Sequence, residues 1–90
     1  MKAMSDMQAL RERINAIDSE LIPLFVERMR IAGEIGEYKR INSLPVVDAA
    51  REALVIERAV AAAPEDMAEL VRDFTSQLIR LAKERQGGDA

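Results

Sequence analysis

The sequence predicts an all-α fold of three helices, one of them very long, in a single domain over 1–90. Two patterns indicate this fold class. Apolar residues recur three and four positions apart through most of the chain, and no segment shows the two-residue alternation of a strand. Ninety residues also enclose too small a core to be comfortably stable alone. Since the chain has no cysteine for a disulfide, we expect a partner chain.

The first helix is predicted over about 5–41 because its apolar residues keep to one helical face. They are Met7, Leu10, Ile14, Ile17, Leu21, Leu24, Ile31, Ile35 and Tyr38. Pro23 removes one backbone hydrogen bond inside this helix, so we expect a kink there, while the period continues on both sides. A helix of this length spans about 55 Å and projects far beyond a compact core, so a second chain is expected to cover the overhang.

A second helix is predicted over about 49–62, after a break in the apolar pattern at 42–45. Asp48 is its expected N-cap, because a carboxylate at that position accepts a hydrogen bond from the first helical turn. No internal repeat or low-complexity tract interrupts the chain, which fits a single domain.

A third helix is predicted over about 65–86, with Pro64 as its first residue and Gly87 closing it. Its expected core stripe consists of Met67, Leu70, Val71, Phe74, Leu78 and Leu81. The tails at 1–4 and 87–90 are expected to be flexible.

Composition excludes several classes of function. The chain contains no histidine and no cysteine, which rules out Ser-His and Cys-His hydrolysis and thiolate metal sites. A net charge of −3 and only three aromatic residues argue against nucleic-acid binding. No apolar run approaches the roughly 18 residues of a membrane span, so we expect a cytoplasmic protein that binds no membrane. An enzyme of this composition would catalyse a reaction that needs no strong base, metal or covalent nucleophile.

Arg28 stands in the apolar seam of the first helix, where a hydrophobic side chain is expected. A buried guanidinium is costly unless an anion, from the protein or from a ligand, meets it. Lys39 lies eleven residues further on, about 20° from Arg28 around the helix, so both cations face the same way. The structural alternatives are an arginine that snorkels or pairs with a glutamate, and a lysine favoured by the helix dipole.

Arg11 flanks the same stripe but lies about 25 Å from Arg28 along the helix axis. If two long helices pack antiparallel or crossed in a dimer, Arg11 of one chain can approach Arg28 and Lys39 of the other. Arg51 and Glu52 fall in the first turn of the second helix, where the dipole favours the carboxylate and not the guanidinium. A solvated surface position is the structural alternative for Arg11 and for Arg51.

These residues, with several neighbours, form a pattern of polar and apolar positions at fixed spacings. The set consists of Leu10, Arg11, Glu12, Ile14, Asp18, Glu27, Arg28, Met29, Ile35, Gly36, Lys39, Pro45, Val46, Asp48, Arg51 and Glu52. This pattern resembles the all-α chorismate mutase family, without a gap from about 8 to 58 and more loosely through the third helix to Gln86. The resemblance implies an intertwined homodimer that isomerises chorismate to prephenate, toward phenylalanine and tyrosine, without a cofactor or metal.

The resemblance assigns four residues to the reacting part of the substrate. Arg28 and the partner chain's Arg11 would clamp the two substrate carboxylates with bidentate hydrogen bonds. Lys39 would reach the ether oxygen and a carboxylate, and Gln86 would donate a second hydrogen bond to that ether oxygen. Arg28, Lys39, Gln86 and Glu52 are the expected catalytic residues.

The other expected contacts come from the start of the second helix. By the same resemblance, Glu52 and the backbone at Asp48 would hold the ring hydroxyl, and Arg51 would add positive charge near the pocket. The chain departs from the family at Ala82, where a serine is frequent, so a hydroxyl contact would be missing. No dehydratase, dehydrogenase or regulatory domain follows, which predicts a monofunctional enzyme.

Two other functions fit parts of the pattern. Isochorismate pyruvate lyase shares the fold and the cationic clamp, but it eliminates pyruvate toward salicylate, and its pattern carries an apolar residue where Glu52 stands. A non-catalytic helical dimer could use Arg28 as a polar seam residue that fixes register. Leucine at position 28 should stabilise such a module, whereas it should abolish the activity of an enzyme.

Overall fold

The computed structural model describes residues 2–87, with side chains from 6 to 87. Within that range every element is helical and no strand occurs, which confirms the all-α fold class. Met1 and 88–90 lie outside the described residues, and with them most of the tail predicted at 87–90. The elements are helix α1 (Lys2–Ile41), helix α2 (Ala49–Ala61), a 3₁₀ turn (Glu65–Met67) and helix α3 (Ala68–Arg85).

Helix α1 begins at Lys2, three residues before the predicted start. Alanine and methionine at positions 3 and 4 are good helix formers, and nothing there stops the helix. The helix continues through Pro23 to Ile41, as predicted. The molecule is 62 Å long, and its radius of gyration of 17.2 Å exceeds the about 12 Å of a compact chain of this size. None of the described helices is long and apolar enough to cross a membrane.

Helix α2 has the predicted N-cap. The carboxylate of Asp48 accepts a hydrogen bond from the backbone nitrogen of Arg51 at 3.0 Å. The helix ends at Ala61, one residue before the expected end. The cap therefore fixes where α2 begins, directly after the loop that leaves α1.

The third helix starts differently from the prediction. Pro64 is not its first residue but precedes it in an extended conformation, with φ −60° and ψ 150°. The carbonyl of Pro64 accepts a hydrogen bond from the backbone nitrogen of Met67 at 2.9 Å, which closes the 3₁₀ turn. The α-helix begins only at Ala68 and ends at Arg85, with Gln86 as its C-cap.

Helix α3 is the centre of the fold because it packs against both other helices, whereas the backbones of α1 and α2 stay apart throughout the described chain. The buried side chains are Ala32 on α1 and Thr75 and Ile79 on α3. The core stripe predicted for the third helix is therefore wrong in part for the single chain. Leu70 and Phe74 are 68% and 52% exposed, because the face that meets α1 and α2 is the one with Thr75 and Ile79.

The apolar seam of α1 is largely uncovered in the single chain. Ile14, Ile17 and Leu24 are each more than half exposed, as are Leu70 and Phe74 on α3. A soluble monomer rarely leaves so much apolar side chain in contact with water. This surface has the character of an interface with another chain.

Candidate active site

A cavity of about 370 Å³ opens between α1 and α2, with α3 as its floor. It exists because α3 holds the other two helices while their backbones remain apart. Its volume lies in the range of small-molecule sites, about 300–1,000 Å³. Seven polar side chains line it: Arg28, Lys39, Asp48, Arg51, Glu52, Lys83 and Gln86.

Six of the seven residues predicted for the site are thus brought together, from three separate parts of the chain. The seventh, Arg11, does not line this cavity. It lies exposed on α1, about 25 Å along the helix axis from Arg28. A single chain therefore leaves the expected clamp without its second arginine.

The ammonium group of Lys39 connects two walls of the cavity. It donates hydrogen bonds to the carbonyl of Val46 at 2.7 Å and to Oε1 of Gln86 at 2.8 Å. Lysine has no acceptor, so this contact fixes which end of the Gln86 amide faces Lys39. The Nε2 protons of Gln86 are then directed away from Lys39 and can donate to another acceptor.

Gly36 allows α1 to approach the end of α3 closely. A Cβ at position 36 would lie 2.5 Å from the carbonyl oxygen of Gln86 and 2.6 Å from its Cα. Real Cβ atoms do not come this close to backbone atoms, so only glycine fits. Since Gly36 is one helical turn before Lys39, this backbone contact places the amide of Gln86 within reach of the ammonium group.

Arg28 is half-buried and has few partners. Its Nη1 lies 3.5 Å from the carbonyl of Leu78, at the outer limit of a hydrogen bond. Among the described residues, no carboxylate lies within ion-pair distance of this guanidinium. The structural alternative of an arginine paired with a glutamate is therefore not seen in the part of the chain that the structure describes, and the guanidinium lines the cavity.

Glu52 lies on the opposite wall, near the start of α2. Its two carboxylate oxygens each lie 3.5 Å from the ammonium group of Lys83 on α3. The backbone nitrogen of Glu52 donates to the carbonyl of Asp48 at 3.0 Å, and the Asp48 carboxylate caps the helix. Arg51 is exposed at the rim of the cavity.

Lys83 is the polar lining residue that the sequence analysis missed. It lies three residues before Gln86, so the two share one face of α3. The three-residue spacing from Gln86 was the signal that could have identified Lys83. The third helix carries many charged residues, and several of them face solvent, so this spacing alone did not distinguish Lys83 from the others. Ala82 also lines the cavity, and its methyl group offers no hydrogen bond where the family frequently has a serine.

The charges of the cavity do not balance. Arg28, Lys39, Arg51 and Lys83 supply four positive charges, whereas Asp48 and Glu52 supply two negative charges. The cavity thus has an excess of two positive charges in a chain whose net charge is −3. Such a local field attracts a small anion, and two charges would be balanced by a dianion.

The fold and the cavity define an all-α domain with a cationic cavity between its helices. The chain belongs to the chorismate mutase type II family, whose model matches residues 10–87. This match extends the family resemblance through α3, including the region of Gln86.

The chain spans less than a quarter of the length of the curated relatives named below. The bifunctional chorismate mutase/prephenate dehydratase of Escherichia coli (strain K12) is 38% identical over 60 residues, which cover 67% of this chain and 16% of the relative. The T-protein of Haemophilus influenzae is 30% identical over 92 residues, which cover 98% of this chain and 24% of the relative. The bifunctional enzyme of Aquifex aeolicus is 36% identical over 55 residues, or 61% of this chain and 15% of the relative. No solved structure matches the chain.

Proposed function

We propose that this protein is a chorismate mutase, an isomerase that converts chorismate to prephenate on the route to phenylalanine and tyrosine. The observation that carries the proposal is the cavity with two excess positive charges in a chain of the chorismate mutase type II family. Chorismate is a dicarboxylate with a ring hydroxyl and an ether oxygen. Each of these groups has a candidate partner, in the cavity or, for one carboxylate, on a second chain.

The reaction suits a chain without histidine or cysteine. In one cyclic transition state the ether C–O bond breaks while a C–C bond forms in the same molecule, and no proton is transferred. The protein can accelerate this step by holding the compact conformer of the substrate and by stabilising the charge that develops on the ether oxygen.

Lys39 and Gln86 would act on the ether oxygen. They are 2.8 Å apart, and the lysine holds the acceptor end of the Gln86 amide. The amide nitrogen then remains as a donor beside an ammonium group. Two neighbouring donors can both reach one oxygen atom, and their stabilisation grows as that atom becomes more negative.

The carboxylates of the substrate would bind to arginines. Arg28 is half-buried and lacks a carboxylate partner within the described chain, so its fork of donors is available to a ligand. Arg11 of a second chain would supply the other guanidinium. Glu52 and the backbone at Asp48 would hold the ring hydroxyl, with Arg51 adding positive charge at the rim.

The proposed active form is an intertwined homodimer in the cytoplasm. Helix α1 contributes most of the 62 Å length of the molecule, and its exposed apolar seam needs a cover. A second copy packed antiparallel or crossed on this seam would bury it. The same arrangement would bring Arg11 of each chain toward Arg28 and Lys39 of the other.

The first experiment is to incubate the purified protein with chorismate and follow the loss of its ultraviolet absorbance. Prephenate is identified by mass and by its acid conversion to phenylpyruvate. Arg28→Ala should abolish turnover, whereas Arg72→Ala should not, because Arg72 is exposed on α3 and pairs with Glu69 outside the cavity. Isochorismate is tested in parallel.

The other outcomes have defined meanings. Release of pyruvate and salicylate from isochorismate, without turnover of chorismate, would make the protein an isochorismate pyruvate lyase. Inertness toward both compounds would leave a non-catalytic helical dimer as the remaining function.

A further inference from the structure

Lys83 extends from α3 into the wall of the cavity and meets Glu52 of α2 there. Its ammonium group is 3.5 Å from both carboxylate oxygens. The two side chains are 33% and 26% exposed, so they are more shielded than the other three ion pairs among the described residues. Those three pairs join residues three or four apart on one helix, whereas this pair joins two helices.

We propose that Lys83 is a positioning residue that holds the Glu52 carboxylate toward the cavity, where it accepts a hydrogen bond from the substrate's ring hydroxyl. This inference rests on the proposed chorismate mutase function. A glutamate side chain has three rotatable bonds, and near the start of α2 it could otherwise turn toward solvent. Fixing it before the substrate arrives removes an ordering cost from binding.

The geometry of the pair leaves the carboxylate available. A strong charge-assisted hydrogen bond between nitrogen and oxygen is about 2.7–2.9 Å long. At 3.5 Å to each oxygen, the ammonium group orients the carboxylate by charge but does not occupy its lone pairs fully. An ionised carboxylate only accepts hydrogen bonds, so this subsite should select a ligand with a hydroxyl donor.

The other charged residues that line the cavity lie on α1 or at the start of α2. Arg28 and Lys39 belong to α1, and Asp48 and Arg51 lie at the start of α2. Lys83 is the cation that α3 contributes to the lining. Arg80, one turn earlier on α3, forms a surface ion pair with Glu84 and does not line the cavity.

The test measures steady-state kinetics with chorismate and with an analogue that lacks the ring hydroxyl. Lys83→Met removes the charge and keeps the chain length, Lys83→Arg restores the charge, and Arg80→Met is the matched control. We expect Lys83→Met to raise KM about tenfold with little change in kcat, as when a hydrogen bond to a charged group is weakened. Lys83→Arg should recover most of the affinity, and Arg80→Met should behave as the wild type.

Glu52→Gln and the double variant separate positioning from direct contact. If Lys83 acts through Glu52, Lys83→Met should change little in the Glu52→Gln background. The penalty for removing the substrate hydroxyl should also be smaller in Lys83→Met than in the wild type. A thermal melt of each variant shows whether a kinetic change is a loss of fold.

Two results would overturn the inference while the proposed function stands. Wild-type kinetic constants in Lys83→Met would make the ion pair a structural contact only. A further loss in the double variant relative to Glu52→Gln would mean that Lys83 contacts the substrate itself. Inactivity of the wild-type protein toward chorismate would instead refute the proposed function, and this inference with it.

Discussion

Lys39 near the end of α1 donates a 2.8 Å hydrogen bond to Oε1 of Gln86, 47 residues further along the chain at the end of α3. The contact depends on Gly36, which allows the two backbones to meet one turn earlier. The ammonium group of Lys39 therefore orients the amide of Gln86, and the packing of the two backbones at Gly36 sets the position of both side chains. The four residues Gly36, Lys39, Val46 and Gln86 form one connected unit at this end of the cavity.

Replacing Gln86 with methionine should lower kcat more than it raises KM. The variant retains the volume of the side chain but loses the amide donor that is expected to act on the ether oxygen in the transition state. Loss of one such donor costs about a hundredfold to a thousandfold in kcat. Gln77→Met is the control, because Gln77 is exposed and accepts a hydrogen bond from Arg80 outside the cavity. Equal losses in the two variants would contradict the role assigned to Gln86.

Two glycine substitutions on α1 should have opposite effects on stability. Gly36→Ala places a Cβ 2.5 Å from the carbonyl oxygen of Gln86, so the helices must move apart, at a cost of about 1–3 kcal/mol. Gly33→Ala meets only the Arg85 side chain, at 3.7 Å, and should stabilise the helix by up to about 1 kcal/mol. Urea unfolding of both variants measures the difference. Activity should fall in the first variant alone.

Replacing Arg28 with leucine should separate activity from stability. Among the described residues no carboxylate pairs with the half-buried guanidinium of Arg28, so its burial costs desolvation energy. Leucine should therefore leave the free energy of unfolding unchanged or raise it. Turnover should fall about a hundredfold or more, because an anion loses a bidentate charged partner. Unfolding curves and steady-state kinetics on the same preparation test both effects. A variant that is destabilised and retains its activity would contradict both.

Mixing two inactive variants should restore activity. Arg11→Ala and Arg28→Ala chains should each form inactive homodimers, since every site lacks one arginine. If Arg11 acts across the interface, a mixed dimer contains one site with both arginines intact. After denaturation and refolding of an equal mixture, random pairing should give about one quarter of the wild-type activity. No recovery, from a mixture that has refolded into dimers, would contradict the role of Arg11 across the interface.

The pair of Glu37 and Arg40 on the exposed face of α1 should make stability depend on pH. The hydrogen bond from Arg40, and secondly its charge, hold the pKa of Glu37 below the ordinary value of 4.5. A lowered folded-state pKa contributes stability above pH 4.5, and this is lost as the pH falls through the lower folded-state value. Glu37→Gln should therefore lower Tm slightly at neutral pH and not in acid. A difference that persists in acid would exclude this ion pair as its cause.

The sequence predicted the helices well because periodicity and caps are local signals. The α1 seam, its end at Ile41 and the Asp48 cap all lie as expected. Arg28 and Lys39 could be found because each is a cation on a face that is otherwise apolar. Their distance along one helix follows from helix geometry alone.

The identity of the buried face of α3 and the role of Lys83 depend on contacts between helices. The apolar periodicity of one helix carries no information about such contacts. An apolar stripe such as Leu70 and Phe74 does not reveal whether its own chain or another chain will cover it. Thr75 is buried, although the hydroxyl of a threonine gives no apolar signal in the sequence. Lys83 became recognisable only when α2 placed Glu52 beside it.

Because the described backbones of α1 and α2 do not touch, a ligand bound between them would connect the two helices. A molecule that binds Arg28 on one helix and Glu52 on the other would cross-link two elements whose backbones otherwise meet only through α3. Occupancy would then tighten the whole domain, and amide hydrogen exchange should slow most in α2, whose backbone packs on a single neighbouring helix. Substrate capture and the last step of ordering the tertiary structure would be one and the same event.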